Sequence, residues 1–562
     1  MLNDDEYGPW NPGIGSQVPK ELRHLATIFR PEHVLSSLAS AVELRGLTGF
    51  ALSELAIFRP QRLALHELLI RITADFAVPD GTRIEDLGLN FRKIARAILS
   101  RYLEPAMDAI IESHRCARRD ARIAIESALS ALGRRAWGPE EIMEFEHSAN
   151  AAEGAAARAG YKNLARVMSG LFATQGDAWG TKDLIAAIAT DLAGNDFGSD
   201  CIGDAIAPLL LAAAREQGYI LLPRQEHPVV INTKGPSASG KSTLRPLQKK
   251  LTGEIGVEWS DFALISPDIW RKQLLDYASL GVAYKYAGAF TSDEVQIIDQ
   301  KLDRYMARKN RRGDMSHLLI DRFRFDSFAS DSDEAGSNLL TRFGQNVYLF
   351  FLITPPEMLV ERAWKRGLEF GRYKAVDDTL AHSVEAYSGI PNVFFTWVRR
   401  SDKRIRFEFL DNTVRLGERP RTVAFGDNET FNVLDVKGTL DIERYARIDV
   451  DAPAAEFLYP DPALLAAEKN LNFLRRCVQS FRCANFADQS SGEVYLRIER
   501  GKAMWKSTTA FETAMQNPDT LAAISAIMPE ALRAHLPERP RAEYLQARDG
   551  HTPTLGQWGP LT

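Results

Sequence analysis

The apolar run Val229-Val230-Ile231 leads directly into Gly235-Pro236-Ser237-Ala238-Ser239-Gly240-Lys241-Ser242-Thr243, a loop with almost no side-chain bulk. GxxxxGK[ST] after an apolar run constrains the local fold to a strand, a tight loop and a helix. The glycines allow a sharp turn in which successive N–H groups converge, and the following helix points its positive dipole end at the same place. Such a cradle fits the crowded oxygens of a nucleoside triphosphate. Gly235 and Gly240 permit close approach, Ser237, Ala238, Ser239 and Thr243 complete the wrap, Lys241 reaches the β- and γ-phosphates, and Ser242 ligates Mg²⁺. The expected cofactors are ATP or GTP with Mg²⁺. Pro246 lacks an N–H and is compatible with the helix only in its first turn.

Short apolar runs recur after the loop at Phe262 to Ser266, Leu318 to Asp321, Val347 to Ile353 and Ile405 to Leu410, with helical stretches between them. Strands alternating with helices predict an α/β fold, a parallel sheet covered by helices, with the nucleotide at the carboxyl ends of the strands. A chain of 562 residues exceeds one ordinary core, and five regions are expected. These are an irregular leader (1–20), an all-helical domain (21–225), the α/β domain (226–425), a mixed, mostly helical C-terminal region (426–536) and a Pro- and Gly-containing tail (537–562), either disordered or draped over another surface. In the helical domain, Leu65, Leu68, Leu69, Ile72 and Phe76 share one helix face, and Phe91, Ile94, Ile98 and Tyr102 another. Segments 110–132, 140–172 and 182–217 are Ala-rich helices. Arg115, Arg118, Arg119 and Arg122 form either a basic groove or a solvated face. Further on, Phe431 to Leu440 reads as a strand pair turning at Lys437-Gly438, and 463–483 and 508–535 as helices.

Composition narrows the setting. The longest apolar run, Ala207 to Ala214, is too short to span a bilayer, and the start Met1-Leu2-Asn3-Asp4-Asp5-Glu6 lacks the basic and apolar parts of a secretion signal. A cytoplasmic protein without a membrane partner is expected. Cys116, Cys201, Cys477 and Cys483 have no zinc spacing, so free thiols are expected. A net charge of -5 weighs against a nucleic-acid partner.

Three groups of residues extend the chemistry beyond triphosphate binding. Asp268 follows the second strand of the α/β domain, on the rim that carries the glycine loop. There it would either take the proton of an attacking hydroxyl or cap the helix that opens with Arg271. Asp321 ends the third strand, where a carboxylate can hold Mg²⁺ through water; Arg322 and Arg324 beyond it are candidates to clamp an anionic substrate or to pair with nearby Asp326, Asp331 and Asp333. Arg362 and Arg366, one helical turn apart, precede Gly367, Gly371 and Arg372, a pattern suited to a lid that brings guanidinium groups onto the phosphates.

The order of these parts resembles small phosphate-loop kinases, and most closely the zeta-toxin family, over residues 227–415. The resemblance implies a parallel α/β kinase core that transfers the γ-phosphate of ATP or GTP to a hydroxyl of a UDP-linked amino sugar. It implies Lys241 and Ser242 as phosphate and Mg²⁺ ligands, Asp268 as the base, and Arg362 and Arg372 as catalytic grips on the triphosphate. The helical regions outside the resemblance would then choose a different small-molecule acceptor, restrain the kinase in cis as a fused antitoxin would, or bind a partner protein. Two other readings stay open: an NTP-hydrolysing switch or assembly protein, and a polynucleotide end kinase, which would need a basic track running from the helical domain into the cleft.

Overall fold

The computed structural model describes residues 7–133, 137–322, 337–415, 417–533, 542–545 and 554–560. Its first half is helical: α1 (Leu38–Thr48), α2 (Pro60–Asp75), α3 (Asp86–Ile98), α4 (Met107–Ala131), α5 (Pro139–Ala151), α6 (Ala155–Gln175) and α7 (Lys182–Gln217). Segment 140–172, read as one helix, breaks at Gly154 between α5 and α6. α7 is long and apolar enough to cross a bilayer by length and composition, but it lies against α2, α4 and α6. Small residues bring it close: a Cβ at Gly198 would come within 2.7 Å of His114, and one at Gly203 within 2.4 Å of Glu67. On α4, Arg115, Arg118, Arg119 and Arg122 pair with Glu112, Asp191, Asp120 and Glu126, which is the solvated-face arrangement.

The α/β core follows, with β1 (Val229–Lys234), α8 (Arg245–Glu254), β2 (Phe262–Ile265), α9 (Arg271–Leu274), α10 (Ala287–Arg311), β3 (His317–Asp321), β4 (Asn346–Ile353), α11 (Pro356–Phe370), α12 (Val376–Val398) and β5 (Arg404–Asp411). The strands pair in parallel in the order β2-β3-β1-β4-β5. All six residues of β1 are buried, as helices on both faces of a parallel sheet require. Thr233 sits opposite Asp321 and Lys234 opposite Phe351, so β1, β3 and β4 end on one rim.

Two expected boundaries do not divide the structure. The one at 425/426 falls inside β6 (Arg421–Asp427), which pairs with β5 and passes the sheet on to β7 (Thr430–Val433). After α13 (Val436–Arg444) and α14 (Asn472–Ser480) come β8 (Cys483–Ala487), β9 (Val494–Glu499) and β10 (Lys502–Lys506), which complete one ten-stranded sheet, then α15 (Thr508–Ala514), α16 (Pro518–Ile527) and α17 (Glu530–Arg533). The strand pair read at 431–440 is thus a strand and a helix. Gly438 turns no hairpin; a Cβ there would lie 2.8 Å from Val423, so glycine lets α13 approach the sheet. The boundary at 225/226 disappears in the core, where Leu63, Leu69 and Ile72 of α2 share one apolar cluster with Ala263, Ile265, Trp270 and the sheet. Buried Trp270 donates its indole N–H to Thr73 Oγ1 at 3.1 Å.

The described parts of both termini are draped over this body. Tyr7 lies under the Lys285 ammonium, 4.2 Å from ring centroid to Nζ, and Ser16 bonds Asp377 at the start of α12. In the tail, Gln557 pairs with Arg421 of β6, and Trp558 stacks on Phe425.

Candidate functional site

The glycine loop leaves β1 and takes the conformation its residues allow. Gly235, Ala238 and Gly240 have φ values of 157°, 65° and 94°. Gly240 needs its freedom twice over, because φ is left-handed and a Cβ would meet Asn412 Nδ2 at 2.4 Å. Lys241 to Leu244 make a 3₁₀ turn, and α8 starts at Arg245 with Pro246 in its first turn. Lys241 Nζ lies back on the carbonyls of Gly235 and Pro236, 2.9 Å from each. Burial lowers its proton affinity, Asp321 and Asp268 oppose that, and Arg366 reinforces it.

Asp321 meets this loop from the end of β3. Ser242 Oγ donates to its carboxylate at 2.9 Å, and Arg245 lies 3.7 Å away. A hydroxyl and a carboxylate oxygen this close are a fit pair for a hard divalent cation, which Ser242 would bind directly and Asp321 through water. Among the described residues no cluster of three or more His, Cys, Asp or Glu residues offers another metal site.

Asp268 stands on the short turn after β2, with 52% of its side chain open to the cleft. Arg271 Nε bonds one carboxylate oxygen at 2.8 Å and Arg372 the other at 2.7 Å. The burial it does have works against ionisation, but Arg372, Arg271 and Arg366 outweigh that and hold the carboxyl well below the usual carboxylate range. Arg271 is itself fixed by Gly288 O and Thr291 Oγ1, at 2.7 and 2.8 Å, so its first role is to position Asp268. Arg366 belongs to the same knot: burial, then Arg372, pulls its guanidinium down to about 10, and its Nε has no hydrogen-bond partner. Glycine loop, Asp321, Asp268, Arg271, Arg366 and Arg372 thus converge.

Other candidates go elsewhere. Arg362, read as a grip on the triphosphate, donates to the carbonyls of Asn412 and Val414, at 2.8 and 3.1 Å, on the segment after β5. Arg322 is buried against Asp299 and faces the interior, not the cleft. Arg324 lies outside the described residues. The expected loosening at Gly367 and Gly371 is also not what these glycines do. Gly371, with φ 68°, caps α11, while Gly367 inside α11 makes room for Tyr373; a Cβ would come within 2.6 Å of the ring. Tyr373 is wedged edge-on between Trp364 and Tyr284, which pins the connection that carries Arg372.

Three site residues escaped the sequence reading. Buried Asn412 donates to Ser239 O at 2.6 Å and holds the glycine loop from the end of β5. Lys374, two residues after Arg372, contacts His382 and lies 3.6 Å from Asp378; burial pulls its ammonium down to about 7, Arg366 and Lys241 adding to the effect. Lys234 is wholly buried at the end of β1, 3.5 Å from Arg322 O. Only Lys374 carried a usable signal, its spacing from Arg372.

No family model matches the chain, and neither does any curated protein. Among solved structures, a match comes from a study titled as a characterisation of the PezAT chromosomal toxin-antitoxin system of the human pathogen Streptococcus pneumoniae. It has 16% identity and a TM-score of 0.25, and covers 38% of this chain and 78% of that one, a likeness too slight to speak for activity.

Proposed function

We propose that this chain is a phosphotransferase that moves the γ-phosphate of ATP or GTP to a hydroxyl of a small metabolite. The observation that carries this reading is the position of Asp268, whose carboxylate opens into the cleft on the rim of the glycine loop and feels Lys241 across it. A triphosphate would be held by the loop backbone and Lys241, with Mg²⁺ on Ser242 and, through water, Asp321; bound, it would supply the transferable phosphoryl group. Arg366 and Arg372 sit where phosphate charge would gather. Phosphate competes with Asp268 for the Arg372 guanidinium, and an oxygen released from Arg372 can accept the proton of an acceptor hydroxyl. The acceptor would be a nucleotide-linked amino sugar if the resemblance to zeta toxins extends to substrate. The N-terminal helices, which share a core with the kinase-like sheet, would shape the cleft or receive a protein partner.

The two-arginine clamp on Asp268 favours a second reading, an NTP-hydrolysing switch in which that carboxylate is a structural counterion. Incubation with γ-labelled ATP, Mg²⁺ and a metabolite extract containing nucleotide sugars separates the two. Label on a small molecule with wild type and not with Asp268→Asn supports transfer. Label released only as free phosphate, equally by both proteins, overturns it.

A further inference from the structure

The segment ahead of α1 touches two elements that frame Arg372. On one side Val18, Leu22 and Leu25 pack with Leu280, Ala283 and Phe290, where the 3₁₀ segment Tyr277–Tyr286 runs into α10. On the other, Trp10 packs with Val360 of α11 and Leu380 of α12, and Ser16 donates to Asp377. Lys285 joins the two sides. Its ammonium lies 4.2 Å from the centre of the Tyr7 ring and 5.1 Å from that of Tyr373, and it donates to Pro12 O at 3.3 Å. Among the described residues Lys285 forms no ion pair with a carboxylate, so two aromatic rings and a carbonyl hold this half-buried cation. The leader is shaped for the contact. Gly8 and Asn11 bond each other reciprocally at 3.0 and 3.1 Å, and Gly13, with φ 73°, leaves the Tyr7 ring the space a Cβ would fill. From Tyr373 the path to the carboxylate is short: Arg372 is the residue before it and bonds Asp268 at 2.7 Å. The other guanidinium on Asp268 is tied to the same place, because Arg271 donates to Gly288 O at 2.7 Å and a Cβ at Gly288 would lie 4.0 Å from Tyr373 O.

We propose that the N-terminal leader is a working part of the site, in which Tyr7 and Lys285 are positioning residues that hold Tyr373, and with it Arg372, against Asp268. The catalytic consequence rests on the phosphotransferase reading. Arg372 is carried by a connection between α11 and α12, and a guanidinium serves a developing phosphate charge only where its backbone is fixed beforehand. Tyr373 gives that connection its anchor, Trp364 and Tyr284 hold two edges of the ring, and the leader closes the third side through Lys285. The glycine loop takes no part in this brace, so loss of the leader contact loosens Arg372 and leaves nucleotide binding intact.

Hydrogen–deuterium exchange of the full chain, read by mass spectrometry, tests the brace without reference to any reaction. Amides of residues 371–376 should exchange about tenfold faster in Tyr7→Ala and in Lys285→Met than in wild type, while those of the glycine loop, 235–243, stay unchanged. Lys285→Arg keeps a cation between the rings and should restore the wild-type rate. In the label-transfer assay both loosening variants should lower kcat about tenfold with the affinity for a non-hydrolysable ATP analogue unchanged, and the acid limb should move to higher pH as Arg372 relaxes its hold on Asp268. Added to Arg372→Ala, Lys285→Met should cost nothing more, since the brace acts through that arginine. Equal exchange at 371–376 in wild type and both variants overturns the proposal, as does faster exchange with wild-type kcat and acid limb. Faster exchange in the variants together with no label transfer even by wild type sinks the phosphotransferase reading and leaves the brace on Arg372 standing.

Discussion

At Asp268 two arginines set the terms of any base catalysis. The carboxyl is held well below its ordinary range, so it stays ionised into acid, and the acid limb of kcat/KM should lie below the usual carboxylate range. Arg372→Ala removes the leading opposing charge, and the acid limb should move to higher pH while transfer slows, a shift measurable in a pH–rate profile. Lys241→Ala should abolish nucleotide binding, read by titration with an ATP analogue. Asn412 tests a subtler contact. Asn412→Ala strips the donor from Ser239 O, a loss of about 1 kcal/mol, so nucleotide affinity should fall about fivefold with Asp268-dependent transfer otherwise intact. These residues also mark how much of the site is legible in the chain. The glycine loop is contiguous, and Asp268 and Asp321 follow or end apolar runs, so spacing alone finds them. Asn412 reaches the glycine loop from 173 residues beyond Ser239, and only the packing of β5 brings it there. Arg322 misled because an alternating strand end says nothing about Asp299, the buried carboxylate that claims it.

Among the elements, α2 has the burial of a core helix, of which the spacing of its leucines shows only one face. Its apolar residues were readable from their spacing, but Arg62, His66, Glu67 and Arg71 are buried as well. Arg62 grips Glu294 of α10 through two bonds of 2.6 and 2.7 Å, and His66 Nε2 lies 2.7 Å from the same carboxylate. Glu67 accepts from Ser199, which also meets Lys301. Helical periodicity records one face, and a second face paired with a helix more than two hundred residues later has no local signal. Glu294→Ala strands Arg62 in the interior and should lower stability by about 3 to 5 kcal/mol, seen as a large drop in Tm, whereas Arg62→Met with Glu294→Met should recover most of it. Gly367 makes an opposite test on α11. Gly367→Ala pushes Tyr373 from its wedge, so transfer should fall while the ATP analogue still binds, because Arg372 moves and the glycine loop does not.

Across the whole molecule, the C-terminal tail is tied to the nucleotide side of the sheet through Glu408. This carboxylate of β5 is buried and accepts from Thr422 Oγ1 and from the N–H groups of Leu555 and Gly556, at 2.7, 2.6 and 2.9 Å. Three residues further along the same strand, Asp411 pairs with Arg421, and Asn412 next to it supports the glycine loop. Burial raises the Glu408 carboxyl from its ordinary 4.5 to about 7, the three donors pulling the other way. A folded-state value above the unfolded one means that the group's contribution to stability is complete below pH 4.5. It is lost as the pH rises towards 7, by roughly 3 kcal/mol in all. Glu408→Gln cannot ionise, so the difference in unfolding midpoint between variant and wild type should change between pH 4.5 and 7 and stay level above 7. Deleting residues 554–562 opens Glu408 to water and returns its carboxyl to the ordinary range, and the same pH dependence should vanish. Because Arg421, the partner of Asp411, then loses its pairing with Gln557 of the tail, affinity for an ATP analogue should fall in the deletion variant as it does in Asn412→Ala. A deletion that changes neither the pH dependence nor the affinity would separate the tail from the nucleotide site altogether.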